Sequence, residues 1–304
     1  MHLVAGDKVK CVEFGLRRAQ GPNGALTASK YAYVGGFEAT SNVYAGYLYD
    51  IPIAGTQAHS FIMSFEDEKD CEESRWLAPA EGGEKVDLLA KALEYRTSLG
   101  WDSAEKRELY AFVSFATAYP SAFSALVDSY STKNSGVKNF LLVSLALEDL
   151  GYSPVSIRLD SGDLADLAAY AKNLFKSTGE QYGRDFSHIR VVASNDINEH
   201  KIHELNAKNH QIDFLGIGTN LVTCQSQPAL GMVYKVCEFK GTPRIKISEE
   251  PGKSTIPGAK SVLRALDENG APKFDILCLA SEYESFKKLT GSTAIHDQKT
   301  KIRL

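Results

Sequence analysis

The stretch VSIRLDSGDLADLAAYAKNLF (155–175) combines a short β-branched run, a small polar turn and a long helical pattern. Side chains alternate along a strand, so Arg158 and Asp160 share one face while the apolar residues face the other way. The helix predicted over 163–176 has apolar residues on one side, and Asp160 and Ser161 offer N-cap chemistry before it. The stretch is therefore a strand-turn-helix unit, the building block of a parallel α/β fold.

The same order of apolar run, small residue and helical pattern recurs along the chain. The other predicted strands are KVKCVEF (8–14), IPIAG (51–55), IRVVA (189–193), DFLGI (213–217) and, as a weaker case, FSALV (123–127). A further helix is predicted over 137–150, ending before Gly151 as a C-cap. Alternating strands and helices indicate a parallel sheet, in either a barrel or a doubly wound arrangement.

The number of units limits the architecture. Five or six strand-helix units are fewer than the eight of a complete regular barrel, so an irregular or incomplete barrel is expected. We predict an α/β barrel over 8–235 and a β-rich segment of a second domain over 236–284. Residues 285–304 have little periodic apolar content, and we predict a disordered tail there.

Composition excludes several classes of protein. The chain has 304 residues and a net charge of -4, which gives no electrostatic basis for binding nucleic acid or an anionic membrane. It has no apolar run long enough to span a membrane and no signal peptide at its start. The five cysteines are scattered and lack zinc-like spacing, so free thiols in a reducing cytoplasm are expected.

Polar residues cluster after the predicted strands, at the sheet edge where parallel α/β folds build ligand sites. Arg158 offers a planar fork of donors for a carboxylate or phosphate. Asp160 could bind a ribose hydroxyl or a metal ion. The competing interpretation is an Arg–Asp pair that only closes the end of the barrel.

Three other strand ends contain weaker candidates. In GIGTNL (216–221), small residues would allow a phosphate to approach the backbone, although an ordinary tight turn is equally consistent. In ASND (193–196), Asn195 could donate a hydrogen bond, whereas Ser194 and Asp196 are ordinary N-caps. In GLRRAQG (15–21), one of two adjacent arginines would face an anionic substrate.

The stretch GTQAHSF (55–61) places His59 just beyond the predicted strand IPIA. By itself the pattern is compatible with a packed core residue, a metal ligand, a proton shuttle or a phosphate acceptor. His200 and His203, one helical turn apart, could also bind a metal, but no third ligand is spaced to join them. A solvated helix face is the favoured interpretation of that pair.

Six segments in order identify a family. GLRRAQGPNG, YVGGFEATSN, GTQAHSF, IRLDSGDL, VVASNDI and GIGTNLVT together resemble nicotinate phosphoribosyltransferases, and the resemblance extends from about residue 8 to 265, including PRIKISEEPGKSTIPG. It implies an irregular α/β barrel with a second domain made from both chain ends, a cytosolic homodimer, and the first step of NAD synthesis from nicotinate. In that reaction nicotinate and phosphoribosyl diphosphate give nicotinate mononucleotide and diphosphate, helped by ATP hydrolysis and Mg²⁺.

The resemblance also implies roles for the residues that match the motifs. His59 is similar to the family's histidine that ATP transiently phosphorylates. Thr56 and Arg158 correspond to nicotinate contacts, with the Arg158 guanidinium meeting the carboxylate.

The remaining matched positions correspond to contacts with the phosphoribosyl group. Gly218 and Thr219 are similar to residues that bind its phosphate, while Arg17 and Asn195 match positions that line the site. Asp160 is expected to face the ribose or a metal-bound diphosphate.

Two departures from the family pattern set a second expectation. The family has an N-terminal segment with a TDLYQ-like motif that nothing in this sequence matches, and the resemblance ends after about residue 284. A truncated form containing most of the barrel is therefore expected. The alternative to an enzyme is a catalytically inactive barrel that binds or regulates the full-length protein.

Overall fold

The computed structural model describes residues 1–224, 235–245, 255–289 and 295–297. The chain divides into two compact units, the first containing the described residues up to Cys224 and the second those from Lys235 onward. The finer division into a barrel over 8–235, a β-rich segment and a tail stays a prediction. Within the described residues, no helix combines the length and apolar content that a membrane span requires.

The first unit alternates helices and short strands. Its helices are α1 (His2–Ala5), α2 (Gly21–Val34), α3 (Val43–Tyr49), α4 (His59–Ile62), α5 (Leu88–Leu99), α6 (Lys106–Ala118), α7 (Val137–Glu148), α8 (Leu164–Tyr182), α9 (Glu199–Ala207) and α10 (Thr219–Val222). Its strands are β1 (Lys10–Glu13), β2 (Ala39–Thr40), β3 (Trp76–Leu77), β4 (Val86–Asp87), β5 (Ser124–Leu126), β6 (Ser156–Leu159), β7 (Arg190–Ala193) and β8 (Phe214–Ile217).

Six of these strands form one parallel sheet in the order β2-β1-β8-β7-β6-β5. The sheet confirms the predicted incomplete α/β barrel: β2 and β5 are its two edges, and helices alternate with its strands along the chain. Because all six strands are parallel, their carboxyl ends meet at one edge of the sheet, and the loops there can build a common site.

The core explains why these segments form strands. Central residues of four strands, Cys11, Ile157, Val191 and Leu215, are fully buried. Strands covered on both faces read as continuous apolar runs, which is the pattern seen in the sequence. Helix α7 is apolar on nearly all sides and is buried along most of its length, as expected for a helix enclosed by neighbours.

Two local predictions were wrong. The run 51–55 is not a strand but makes a single bridge between Ile53 and Thr40. Pro52 has no N–H to donate to a ladder, and β2 takes the edge position instead. Helix α8 is capped by Asp163, whose carboxylate accepts from the second and third amides of the helix, so Asp160 and Ser161 are not its caps.

The second unit is β-rich, as the sequence predicts for this part of the chain. Strands β9 (Glu238–Phe239) and β10 (Thr242–Pro243) pair antiparallel, and β11 (Lys260–Leu266) pairs with β12 (Pro272–Leu279) and β13 (Ile295–Asp297). Helix α11 (Tyr283–Leu289) precedes β13.

The predicted disordered tail and one motif fall partly outside the described residues. Within 285–304, the structure describes the end of α11 and strand β13, while 290–294 and 298–304 lie outside the described part, so the disordered tail stays a prediction. Residues 246–254 of the PRIKISEEPGKSTIPG segment also lie outside it.

Candidate active site

The loops after β5 and β6 meet the start of α4 and bring His59 between two carboxylates. His59 Nδ1 lies 3.0 Å from the Ser129 hydroxyl. On the other side of the ring, Nε2 is 3.5 Å from Asp160 Oδ2 and 3.8 Å from Asp128 Oδ1. The imidazole therefore has one nitrogen in a hydrogen bond and the other directed toward negative charge.

Asp128 is the most enclosed member of this group, with 1% of its side chain exposed. Its Oδ2 accepts a 2.5 Å hydrogen bond from the Ser161 hydroxyl. Among the described residues, Asp128 Oδ1 and His59 Nε2 make no hydrogen bond although both are buried. Buried polar atoms left without partners indicate a place for a ligand or ion, because orphaned groups are otherwise costly.

Arg158, at the end of β6, is held by three neighbours. Its Nε donates to the Ser194 hydroxyl at 2.8 Å, Nη2 to Asp160 at 3.1 Å, and Nη1 to the Thr56 hydroxyl at 3.4 Å. Its guanidinium carbon lies 5.1 Å from the centre of the Phe14 ring. A guanidinium has five N–H donors, so a fixed, partly exposed cation remains with donors for an anionic ligand.

Asp160 stays ionised in this environment. Burial favours its neutral form, but the contacts with His59, the charge on Arg158 and the hydrogen bond from Ser194 together hold the pKa of Asp160 well below its usual range. The Arg158–Asp160 pair sits beside the histidine, and the Asp160 carboxylate contacts both the guanidinium and the imidazole.

One nitrogen and two carboxylate oxygens from His59, Asp128 and Asp160 lie within 4.8 Å of one another. Carboxylate oxygens are the ligands that hard divalent cations such as Mg²⁺ prefer, and imidazole extends the set to other divalent metals. Spacing in the sequence could not reveal this set, because His59, Asp128 and Asp160 are far apart in the chain.

The end of β1 is fixed by a second buried carboxylate, that of Glu13. It accepts hydrogen bonds from the Ser29 hydroxyl at 2.8 Å, from the Thr40 hydroxyl at 2.5 Å and from the Gly15 amide. These bonds connect β1 with α2 and β2 and set the start of the 3₁₀ turn that contains Arg17.

The other predicted site residues lie at the same sheet edge but outside the bonded cluster. Arg17 is exposed after β1, and Asn195 follows β7 with a left-handed φ of 91°. Gly218 is the N-cap of α10 after β8, and Thr219 begins that helix. The structure thus joins His59, Thr56, Arg158 and Asp160 by direct contacts, while the other four candidates follow β1, β7 and β8.

Sequence reasoning missed Asp128, Ser129 and the part played by Ser194. The available signal was FSALVDSY, in which a carboxylate and a hydroxyl follow a strand as in IRLDSGDL. Ser194 was interpreted as an N-cap, but α9 is capped by Asn198. The Ser194 hydroxyl instead bonds Asp160 and accepts from Arg158.

Comparisons with known proteins agree on one family. Residues 137–292 match the nicotinate phosphoribosyltransferase (NAPRTase) family. Nicotinate phosphoribosyltransferases of Dictyostelium discoideum and Caenorhabditis elegans are both 48% identical to the chain, over 90% and 92% of it but only 46% and 51% of their own lengths. The chain spans about half the length of these relatives.

Solved structures of nicotinate phosphoribosyltransferases also match this chain. The crystal structure of human nicotinic acid phosphoribosyltransferase matches with a TM-score of 0.66 and 41% identity, covering 92% of this chain and 54% of that one. Nicotinate phosphoribosyltransferase from Porphyromonas gingivalis matches with a TM-score of 0.52 at 19% identity, over 82% of this chain and 56% of its own, and supports the fold alone.

Proposed function

Since this chain belongs to the nicotinate phosphoribosyltransferase family, we propose that its barrel forms nicotinate mononucleotide and diphosphate from nicotinate and phosphoribosyl diphosphate. The observation that supports this most directly is the fixed guanidinium of Arg158 at the carboxyl end of β6, against the Phe14 ring and beside Thr56. The carboxylate of nicotinate is the kind of anion that a guanidinium binds with paired hydrogen bonds.

The site suits a reaction that needs positioning more than covalent catalysis. When diphosphate leaves, positive character develops at the anomeric carbon and negative charge on the leaving group, while the nicotinate nitrogen supplies the electrons of the new bond. Arg158 and Thr56 would hold nicotinate, Gly218 and Thr219 would hold the sugar phosphate, and the other strand-end residues, Arg17 and Asn195, would line the pocket. Orientation and charge neutralisation then supply the rate enhancement.

We further propose that ATP phosphorylates His59, and that Nε2 is the accepting nitrogen. Nδ1 is engaged with Ser129, whereas Nε2 has no hydrogen bond among the described residues. At the moment of transfer the ring proton would be on Nδ1, donated to Ser129, so that the electron pair of Nε2 forms the new bond to the γ-phosphorus atom as its bond to the ADP oxygen breaks. Asp128 and Asp160 would bind Mg²⁺, which supplies the positive charge that lets a phosphate approach two carboxylates.

Substrate selection tests the main proposal. The 304-residue chain is incubated with labelled nicotinate, phosphoribosyl diphosphate, ATP and Mg²⁺, and mononucleotide is measured. Arg158→Gln should raise the KM for nicotinate at least about tenfold, the scale of a lost charge-assisted hydrogen bond. Arg264→Gln, which alters an exposed arginine of the second unit, is the matched control. A folded chain that forms no mononucleotide, or equal use of nicotinate and nicotinamide, would refute the proposal.

Phosphorylation of His59 is measured separately with γ-labelled ATP. We expect acid-labile label on the wild-type chain and none on His59→Gln, whereas His188→Gln, which changes an exposed histidine, should keep the label. Label that persists on His59→Gln would assign the phosphate to another residue and contradict the role of Nε2.

We also propose that the protein works as a homodimer. Helices α2 and α3 expose five tyrosines, of which Tyr47 is 82% exposed: Tyr31, Tyr33, Tyr44, Tyr47 and Tyr49. An assembly would cover such an aromatic face. Analytical ultracentrifugation checks this, and a monomer at concentrations where the activity is measured would contradict it.

A further inference from the structure

A second buried polar cluster lies on α6, outside the site described above. Glu108 is fully buried, and its Oε2 accepts hydrogen bonds from the Ser135 hydroxyl and, at 3.1 Å, from the Asn139 amide. Ser135 Oγ accepts from the Glu105 amide at 3.0 Å, and Asn139 donates to the Glu105 carbonyl at 2.9 Å. The cluster therefore connects the start of α6 with the segment that leads into α7.

That segment is a π-helix, Thr132–Gly136, which follows the loop after β5. Single π-helical turns are rare and are frequently found at functional sites. Ser131 caps it by accepting from the Asn134 amide at 3.3 Å. The π-helical segment continues directly into α7, so its position depends on the bonds that Ser135 and Asn139 make to Glu108.

Gly136 is the residue through which the π-helical segment touches Val127, next to the candidate active site. A Cβ atom on Gly136 would lie 1.8 Å from the carbonyl oxygen of Val127, so only glycine permits the two backbones to touch. The Val127 amide in turn donates to the Arg158 carbonyl at 3.1 Å. Val127 is thus held between the π-helical segment and β6.

The next two residues after Val127 are the ones that contact His59. Asp128 approaches Nε2 and Ser129 bonds Nδ1. Close packing leaves little room for the loop to adjust independently of its neighbours. A change at Glu108 therefore reaches His59 through one continuous set of contacts.

We propose that Glu108 is a positioning residue, which holds the π-helical segment against Val127 and so sets the distances of Asp128 and Ser129 from the His59 ring. No role in binding substrate is implied. The consequence for phosphate transfer rests on the proposed function, but the positioning itself does not.

The Glu108 carboxyl group acts in its neutral form. Burial, opposed by the hydrogen bonds from Ser135 and Asn139 and reinforced by the charges of Asp128 and Glu105, raises its pKa to about 8. Among the described residues, no lysine or arginine forms an ion pair with it, and its Oε1 has no hydrogen-bond partner. Glutamine has the same shape as the neutral acid and should replace it, whereas leucine would leave Ser135 and Asn139 without their acceptor.

The ring nitrogens of His59 report the effect without substrate. The 304-residue chain is labelled with ¹⁵N-histidine, and the His59 signals are assigned by their loss in His59→Gln. We expect Glu108→Gln to keep the His59 ring resonances at their wild-type positions and Glu108→Leu to shift them. Val113→Ala, which shortens another fully buried residue of α6, is the control for destabilisation and should leave them unchanged.

Ser135→Ala is a milder second variant, used if Glu108→Leu does not fold. It removes one of the two donors to Glu108 and should shift the His59 resonances in the same direction by less. Wild-type His59 resonances in folded Glu108→Leu or Ser135→Ala would overturn the proposal, and so would a Val113→Ala chain that shows the same shift. Because no reactant is present, this result is independent of whether the chain transfers a phosphoribosyl group.

Discussion

Two carboxyl groups of this barrel, the partly buried Asp160 and the fully buried Glu108, have pKa values that are shifted in opposite directions. Burial disfavours the charged form of both. Asp160 lies against Arg158 and His59 and its pKa is held well below the usual range, whereas Glu108 meets only neutral donors and burial raises its pKa to about 8. The partners of Asp160 outweigh the effect of burial on its pKa, whereas the neutral donors around Glu108 do not.

The difference corresponds to position in the fold. Asp160 is at the carboxyl edge of the sheet, where loops from several strands bring charged groups together. Glu108 is a residue of α6, and its carboxyl group bonds the π-helical segment and α7. A charged carboxylate at the edge can bind ions and substrates, and a neutral one in the interior can fix the backbone behind it.

The largest expected effect comes from removing the charge of Asp160. Asp160→Asn should lower kcat for mononucleotide formation by about 10²–10³-fold, the loss seen when one charge-stabilising group is removed from an active site. Arg158 and His59 would lose their shared anion, so the KM for nicotinate should rise as well. Asp166→Asn, an exposed carboxylate of α8, is the control. A kcat within twofold of wild type would show that the charge of Asp160 does not contribute to the reaction, and that Asp160 and Glu108 do not differ in this respect.

The next effect is the pH dependence of stability that Glu108 causes. Its pKa is raised from 4.5 to about 8, so the stability it contributes is complete below about pH 4.5 and is lost as the pH rises toward 8. The wild-type free energy of unfolding should therefore fall, relative to Glu108→Gln, by roughly 3 kcal/mol between pH 5 and 7.5. Urea unfolding of both chains across that range measures this difference. If the free energies of unfolding of wild type and Glu108→Gln changed equally with pH, the pKa of Glu108 would not be raised on folding.

Asp160 should cause the opposite pH dependence, with a free energy of unfolding that falls as the pH is lowered. Its pKa is lowered on folding, so its contribution is present above the pKa of the unfolded chain, near 3.8, and is lost as the pH falls below it. The same unfolding series, extended from pH 5 down to pH 3 with Asp160→Asn, tests the sign. Wild-type stability that rises on acidification relative to Asp160→Asn would contradict it.

A smaller effect is expected at Ser194, which bonds both members of the Arg158–Asp160 pair. Ser194→Ala should cost about 1.5–3 kcal/mol of stability, the contribution of a hydrogen bond to a charged group. The pKa of Asp160 should rise accordingly, visible as a higher midpoint in the acid-unfolding series. An unchanged midpoint would assign the low pKa of Asp160 to Arg158 and His59 alone.

The smallest effect is expected at an exposed pair of the second unit. Arg264 and Asp275 form a 2.7 Å ion pair in solvent, where salt and water screen the attraction. Asp275→Asn should leave Tm unchanged within error. A clear fall in Tm would show that location on the surface does not weaken ion pairs in this protein.

Several elements could be predicted from the sequence because their signals are local. The apolar runs at β1, β6, β7 and β8 are enclosed on both faces, and their helices begin after small polar turns. The alternation of side chains along a strand also predicted that Arg158, in β6, and Asp160, just after it, share a face, and they contact each other at 3.1 Å. Two predictions were wrong. The run IPIAG, in which Pro52 has no N–H for a ladder, makes only one bridge to β2, and α8 is capped by Asp163, a residue that fits an N-cap as well as Asp160 or Ser161 does.

The sequence by itself determined the parallel α/β class, the strand-end location of the candidate site and the pairing of Arg158 with Asp160. These follow from periodicity and from the two-residue alternation of a strand. Only the tertiary structure decided that Asp128 and Ser129 meet His59, that Ser194 bonds the ion pair, and that Glu108 lies behind the loop. These contacts join residues 27 to 70 positions apart, and their geometry depends on strand order and packing, which no local pattern contains.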